Sequence, residues 1–370
     1  MINLAYRKVR CMKNKIFVLL LIFVLGLAGL VFFYLSQDFE NEDIEKTKEE
    51  FFELLGQENI KQEIPFEPEK LEWSLANADS PWEKRDAHTV EVFNNKMLLM
   101  GGIEDGDINI AYEYHTHFAD VWASSNGKDW ELITNKAEFG KRRAAASVVF
   151  NDKIWIFGGW EKNDWRLKND VWYSKDGLNW IEAVDSAAWT PRKGHAAVVF
   201  NNKIYLMGGV DNTGAVNDVW ASENGTDWEL VAENAPWVAR YDLTAAVFED
   251  KIYLTGGVVP GMRGEHDVWV TEDGAGWELL TDDVPWKGRH GHCLIVFQDR
   301  LWILAGWSGT GIGYNDVWYS EDGLGWIEIK DTPFKGREDP DCAVFDNKIW
   351  IMGGMLSSGR RVNDVWCLGY

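Results

Sequence analysis

The chain has 370 residues, of which 46% are hydrophobic and 14% aromatic, a composition that excludes a disordered chain and suffices for a large buried core. Its 59 acidic residues outnumber its 37 Lys and Arg residues and give a formal net charge of −22. A field of that sign repels nucleic acid and anionic lipid surfaces, so we predict no nucleic-acid partner.

The amino-terminal 35 residues predict a basic tail followed by a membrane span. Residues 1–15 carry five basic side chains and no acidic one, and residues 16–35 are an apolar run that, as a helix, spans roughly 30 Å. The positive-inside rule places the tail in the cytoplasm and the rest of the chain outside it. A cleaved signal peptide is the alternative, but the run is longer than a usual signal core and lacks a small-residue cleavage site. We predict a single-pass signal anchor and an extracytoplasmic remainder, at the cell surface or in the periplasm.

Residues 36–68 form a charged linker between the predicted anchor and the rest of the chain. An apolar stripe that includes Phe51, Phe52 and Leu55 favours a short helix ending at Gly56. The segment is interpreted either as a stalk or as a helix that docks on a partner or on the domain itself.

A repeated unit of twelve residues organises the chain beyond this linker. Residues 169–180 read NDVWYSKDGLNW, and close copies begin at 119, 217, 266 and 315, with a shortened copy, NDVWCLGY, at 363. A pair of small residues precedes each copy. The pairs begin at 101, 158, 208, 256, 305 and 353, so the period is about 50 residues and six repeats are present.

Each repeat predicts four short strands. In the third repeat they are HAAVVF from 195, KIYLMGG from 203, NDVWAS from 217 and the region of WELV from 228. Two-residue turns, mostly Asn and Asp pairs, join strands one and two, because these residues tolerate the positive φ of a tight hairpin. The Ser-x-Asp-Gly or Ser-x-Asn-Gly turn joins strands three and four.

Units of this length, with a diglycine closing the second strand and a Trp in the third, resemble the Kelch repeat over about residues 69–370. The resemblance implies an all-β, six-bladed propeller of four-stranded antiparallel blades. The sixth repeat ends without a fourth strand, whereas EKLEWSLA around Trp73 is a fourth-strand sequence with no blade before it. Kelch rings are commonly closed by such a strand, so we predict that Trp73 lies in blade six, which removes an exposed sheet edge.

The longer connections, from strand two to three and from strand four to the next blade, lie on one side of such a propeller. We call this side the loop face, and the opposite side the tight-turn face. The resemblance implies that ligands bind at the loop face. The repeat does not require Trp160, Trp165, Arg166 or Trp307 there, so we predict that they bind the ligand.

One Arg precedes each first strand, at Arg85, Arg142, Arg192, Arg240, Arg289 and Arg337. These residues either form an anion-binding ring at the loop face or pair with the Asp that precedes each third-strand Val-Trp. Three histidines, His88, His195 and His292, follow their Arg by three positions and are either ligand-binding or partly buried. All nine are included in the predicted site.

Enzymatic and metal-dependent functions are less well supported. Two His-x-His pairs, at 115/117 and 290/292, have no repeated third ligand, so we predict no metal and no cofactor. Some six-bladed Kelch proteins outside the cytoplasm are sialic-acid epimerases, and the resemblance therefore implies a carbohydrate-active enzyme as an alternative. Strands one and three of a blade are too far apart for a disulfide, so Cys342 and Cys367 are predicted to be free thiols.

The sequence thus predicts a membrane-anchored, extracytoplasmic Kelch propeller that binds a protein or a glycan at its loop face without chemistry. A scaffold inside an envelope assembly is a third possibility. The membrane is contacted through residues 16–35.

Overall fold

Short β-branched and aromatic runs, separated by two-residue turns, fold into six antiparallel sheets in the computed structural model, each with the four strands of one blade. In blade two the short strand Arg142–Arg143 joins the sheet as a fifth strand. It describes residues 66–104, 115–163, 165–261 and 263–370, and the sheets belong to one compact unit, Glu67–Tyr370. The apolar run 16–35 and most of the linker lie outside the described residues. Within the described part of the chain, no helix has the length and apolar character needed to cross a membrane.

The four strands of each blade occur in the predicted order. The first strands are Thr89–Phe93, Ala146–Phe150, Ala196–Phe200, Thr244–Phe248, Cys293–Val296 and Asp341–Phe345. The second strands are Lys96–Met100, Lys153–Glu161, Lys203–Met207, Lys251–Thr255, Leu301–Leu304 and Lys348–Met352. The third strands are Val121–Ser124, Arg166–Ser174, Val219–Ser222, Val268–Thr271, Val317–Ser320 and Val365–Gly369. The fourth strands are Glu131–Thr134, Trp180–Val184, Glu229–Ala232, Glu278–Thr281, Trp326–Ile329 and, for blade six, Glu72–Asn77.

Short strands and one turn of 3₁₀ helix complete the described structure. The helix is Pro68–Lys70. The short strands, all on the loop face, are Arg85–Asp86, Ile103–Glu104, Arg142–Arg143, Val210–Asp211, Gly214–Ala215, Val258–Val259, Arg263–Gly264, Arg337–Glu338 and Met355–Leu356.

The strand around Trp73 closes the ring. Glu72–Asn77 runs antiparallel to Val365–Gly369, with Trp73 opposite Leu368. Because the carboxyl end of that third strand lies on the tight-turn face, the chain enters the propeller there. The backbone N–H of Glu67, just before the closing strand, donates to the Tyr370 hydroxyl at 3.0 Å.

The hydrophobic core consists of layers between neighbouring blades. Between blades three and four, for example, Met207 and Val219 pack with Ile252 and Leu254, all with no more than trace exposure. A Trp or Phe that precedes each repeat Arg is buried in every blade: Trp82, Phe139, Trp189, Trp237, Trp286 and Phe334. The apolar strands without alternation are explained by this packing, because each blade is covered on both faces.

The six first strands stand side by side around the axis and line a central channel of about 360 Å³. The prediction that Cys342 is a free thiol is wrong, because it forms a disulfide with Cys293 at a Cα–Cα distance of 6.0 Å. That prediction compared strands within one blade, whereas the bond joins the first strands of two neighbouring blades. Cys367 in the third strand of blade six is free, as predicted, and buried.

Candidate functional site

The six repeat arginines are buried inside the blades. Each is at most 3% exposed and forms an ion pair with the Asp before the third-strand Val-Trp. In blade four, Nη1 and Nη2 of Arg240 donate to the two carboxylate oxygens of Asp267 at 2.6 and 2.8 Å, and Nη1 also donates to the Gly256 carbonyl. The pairs are Arg85–Asp120, Arg142–Asp170, Arg192–Asp218, Arg240–Asp267, Arg289–Asp316 and Arg337–Asp364.

Each of these carboxylates also accepts the indole N–H of the third-strand Trp, as Asp267 does from Trp269 at 2.7 Å. Burial by itself would raise the pKa of Asp267, but the hydrogen bonds and the charge of Arg240 more than offset it and lower that pKa. The two charges therefore neutralise each other within the blade. The repeat arginines were predicted either to form an anion-binding ring or to pair with these Asp residues, and the structure shows the pairing.

The three histidines of the predicted site are also buried. His88 and His195 lie beside Trp82 and Trp189, with ring centroids 6.2 and 5.9 Å apart. Burial, followed by the charge of the nearby Arg, lowers the pKa of each to about 3, so both are neutral at physiological pH.

His292 differs from the other two in its polar contacts. Its Nε2 lies 2.8 and 2.9 Å from the hydroxyls of Thr244 and Thr255. A Cβ on Gly306 would approach its Cβ to 2.7 Å. The histidines are therefore packed under the small-residue pairs.

A closed ring of six backbone hydrogen bonds encircles the axis at the loop face. One residue per blade donates its N–H to the carbonyl of its counterpart in the preceding blade, over 2.7–3.2 Å: Ala87 to Asp339, Ala144 to Ala87, Gly194 to Ala144, Asp242 to Gly194, Gly291 to Asp242 and Asp339 to Gly291. All six have φ between 47° and 60°. Four are not glycine, so the ring is held by its neighbours against the usual preference of the backbone.

Immediately before each ring residue stands a side chain that differs from blade to blade. These six are Asp86, Arg143, Lys193, Tyr241, His290 and Glu338. Each forms a backbone bridge with the residue that follows the small-residue pair of its own blade. We call the backbone ring together with these six residues the axial cup.

Charges in the cup act on one another across several blades. Nδ1 of His290 lies 3.6 Å from a carboxylate oxygen of Glu338, and the imidazole is 4% exposed. Burial, with repulsion from Asp242 and Asp86, raises the pKa of Glu338 to about 8. The same causes, with Glu338 itself, raise the pKa of Asp339 well above its usual value. Glu338 therefore retains its proton near neutral pH.

The predicted aromatic residues lie in two separate places. Trp160 and Trp307 occupy corresponding positions in blades two and five, opposite Arg143 and His290 in the backbone bridges. Trp160 is 9% exposed, and its ring centroid lies 6.0 Å from that of Trp165, which is 48% exposed.

Arg166, which the sequence also placed in the site, is exposed beside Trp165 in blade two. Blades two and five are opposite each other in a ring of six. The structure therefore joins Trp160, Trp165 and Arg166, and keeps Trp307 apart from them.

Comparison with known proteins agrees with this architecture. The model of the KLHDC2/KLHL20/DRC7 Kelch-repeats domain matches residues 56–257 and 181–320. The chain belongs to the Kelch-repeat family.

A solved structure, described as "Structure of YjhT", superposes with a TM-score of 0.65 at 17% identity, over 80% of this chain and 97% of that one. At that identity the likeness concerns the fold alone. No curated protein matches the chain.

The cup residues were not predicted from the sequence, because the predicted site followed the constant positions of the Kelch repeat and the aromatic residues outside it. The informative signal was a position that varies from repeat to repeat. In a repeat that keeps its Arg, its small-residue pair and its Trp, the position after the Arg carries an acid, a base, a phenol or an imidazole in different copies. Such variation on a constant scaffold is typical of a binding surface.

Proposed function

We propose that this Kelch propeller is an extracytoplasmic binding module, anchored through residues 16–35, that recognises a protein or a glycan at its loop face. The observation that carries the proposal is the axial cup, in which one structural position bears an acid, a base, a phenol or an imidazole in different blades, over a hydrogen-bonded backbone ring. Variation of that kind supplies ligand-specific contacts without cost to the fold.

Two further observations support the location and orientation. The disulfide between Cys293 and Cys342 is typical of proteins that fold in an oxidising compartment. The chain enters the propeller on the tight-turn face, near Glu67, so the cup opens on the side opposite the connection to the linker. A tethered module in this arrangement presents its loop face to ligands.

The test is a binding screen of the full-length chain on glycan and peptide arrays, followed by affinity measurement for each ligand found. Tyr241→Ala is the cup variant, and Leu178→Ala, which removes a 47% exposed side chain on the tight-turn face, is the matched control. The proposal requires that the cup variant weaken binding by about tenfold or more, which corresponds to about 1.4 kcal/mol. Equal binding by both variants, or silence on both arrays from a folded sample, would exclude it.

A carbohydrate-active enzyme, similar to sialic-acid epimerases, is the second candidate. It is favoured by the 3.6 Å approach of His290 to Glu338. Burial lowers the pKa of His290 and raises the pKa of Glu338, so a proton donor and a proton acceptor lie side by side, as acid–base chemistry requires. Proton NMR of sialic acid incubated with the protein would detect accelerated exchange between its anomers or epimers. Acceleration that persists in Glu338→Gln, or none at all, would remove this candidate.

A further inference from the structure

The hairpin between strands two and three of blade two is continuous with the blade, whereas in blades three and four it consists of separate two-residue strands. The second and third strands of blade two, Lys153–Glu161 and Arg166–Ser174, have nine residues each, whereas those of the other blades have four or five. They continue past the Gly158–Gly159 pair and remain paired up to Glu161 and Arg166. The hairpin therefore rises from the loop face, with its tip between residues 161 and 166.

Trp165, at this tip, has a backbone conformation that is unfavourable for a bulky residue. Its φ is 60°, in the left-handed region that bulky side chains rarely adopt, and 48% of its surface is exposed. A Gly or Asn would form this turn with less strain. A strained and exposed aromatic side chain is an observation that points to a function.

Cations surround the two tryptophans of the hairpin. Nζ of Lys162 lies 4.4 Å from the Trp165 ring, and the Arg143 guanidinium lies 5.9 Å from the Trp160 ring. Arg166 is exposed beside them. We call these five residues the cation–tryptophan patch.

The charge of the hairpin is opposite to that of the whole chain. Lys141 and Lys168 add to the three cations of the patch, against Glu161, which pairs with Lys168, and Asp164 in the sequence. In a chain of net charge −22, such a local excess of positive charge selects an anionic partner.

The backbone of the hairpin is already paired on both sides. On one edge, the carbonyl of Lys168 accepts the Arg192 N–H at 2.9 Å; on the other, the carbonyl of Lys141 accepts the Lys162 N–H at 2.8 Å. At these two positions, therefore, a peptide does not add a strand to the sheet. A ligand is then recognised by side chains: the flat ring of Trp165 is available for stacking, and the cations of the patch can pair with carboxylates.

We propose that the cation–tryptophan patch binds an acidic polysaccharide, a chain of pyranose rings that bear carboxylates. The C–H groups of a pyranose face contact the negative π face of Trp165, and its carboxylates pair with Arg166 and Lys162. This inference rests on the proposed function and names the ligand class for one part of the loop face.

The test measures binding of fluorescently labelled oligogalacturonate and hyaluronate oligosaccharides to the full-length chain by anisotropy. Binding should fall steeply with added salt, be lost on methyl esterification of the carboxylates, and weaken about tenfold in Trp165→Ala and in Arg166→Ala. Ile312→Ala, which removes a 57% exposed side chain from the connection of blade five, is the matched control and should bind like the unsubstituted chain.

Several results would overturn the inference. These are binding of neither oligosaccharide, equal binding of the methyl ester, equal binding by Trp165→Ala, and displacement by oligoglutamate at lower concentration than by oligogalacturonate. If array ligands depend on Tyr241 but not on Trp165, the proposed function stands and this inference fails. If ligands depend on neither residue, both fail.

Discussion

Removal of the disulfide between blades five and six tests how much this bond contributes to the free energy of unfolding. Cys293 and Cys342 are each less than 10% exposed and are separated by 49 residues in the chain. In the chain-entropy model, closing a loop of that length removes entropy from the unfolded chain worth about 4 kcal/mol at 25 °C. Because engineered and native bonds often deliver less than the model, we expect Cys293→Ala/Cys342→Ala to lose about 2–4 kcal/mol.

The assay is guanidinium-induced unfolding at 25 °C, with and without a phosphine reductant. The unsubstituted chain should lose stability in reductant until it approaches the double variant, and the double variant should not respond. Cys367→Ala is the control, because Cys367 is buried but unbonded and its removal leaves the response to reductant unchanged. A double variant that responds to reductant, or an unsubstituted chain that does not, would refute the reasoning.

Three further predictions concern the blades and the channel. Arg240→Met leaves the carboxylate of Asp267 buried without its partner and should cost about 3–5 kcal/mol by denaturant unfolding; a cost below about 1 kcal/mol would contradict a structural role for the pair. Gly127→Ala places a Cβ 1.9 Å from Cζ3 of Trp350 at a φ of 70°. It should lower stability by about 1–3 kcal/mol, and an unchanged stability would contradict close packing between these two blades. Burial raises the pKa of Asp341 to about 8, so the folded state binds a proton that the unfolded state releases, and stability falls as pH rises from about 4 to 8. Glu338 and Asp339 contribute to this slope in the same sense, so Asp341→Asn should make it shallower without removing it in unfolding measurements across that range, and an unchanged slope would contradict the contribution of Asp341.

The local structure of each blade was predictable because the repeat encodes it locally. The Asn201-Asn202 turn adopts φ of 47° and 59°, as its residue types require. In the Ser174–Trp180 turn, Asp176 accepts backbone N–H groups at 2.8 and 2.9 Å, the contacts that its position in the motif implies.

The candidate site was predictable only in part. Trp165 and Arg166 were chosen because the repeat did not require them, and both are exposed on the loop face. The repeat arginines and their histidines were chosen because they recur, and they are buried. Residues that recur in every repeat take part in the packing that all units share, so recurrence is a poor guide to ligand-binding residues.

The patterns within each repeat predict the number of blades, their strands and their turns, because these depend on about 50 consecutive residues. The strand that completes blade six pairs with the last strand of the chain, and the resemblance to the Kelch repeat predicted it. The contacts around the axis become evident only when the blades are assembled into a ring. The disulfide between Cys293 and Cys342, the ring of backbone hydrogen bonds and the approach of His290 to Glu338 all join different blades. Residues from successive repeats meet there because a closed ring brings every first strand to one axis, and that convergence is a property of closure which no single repeat contains.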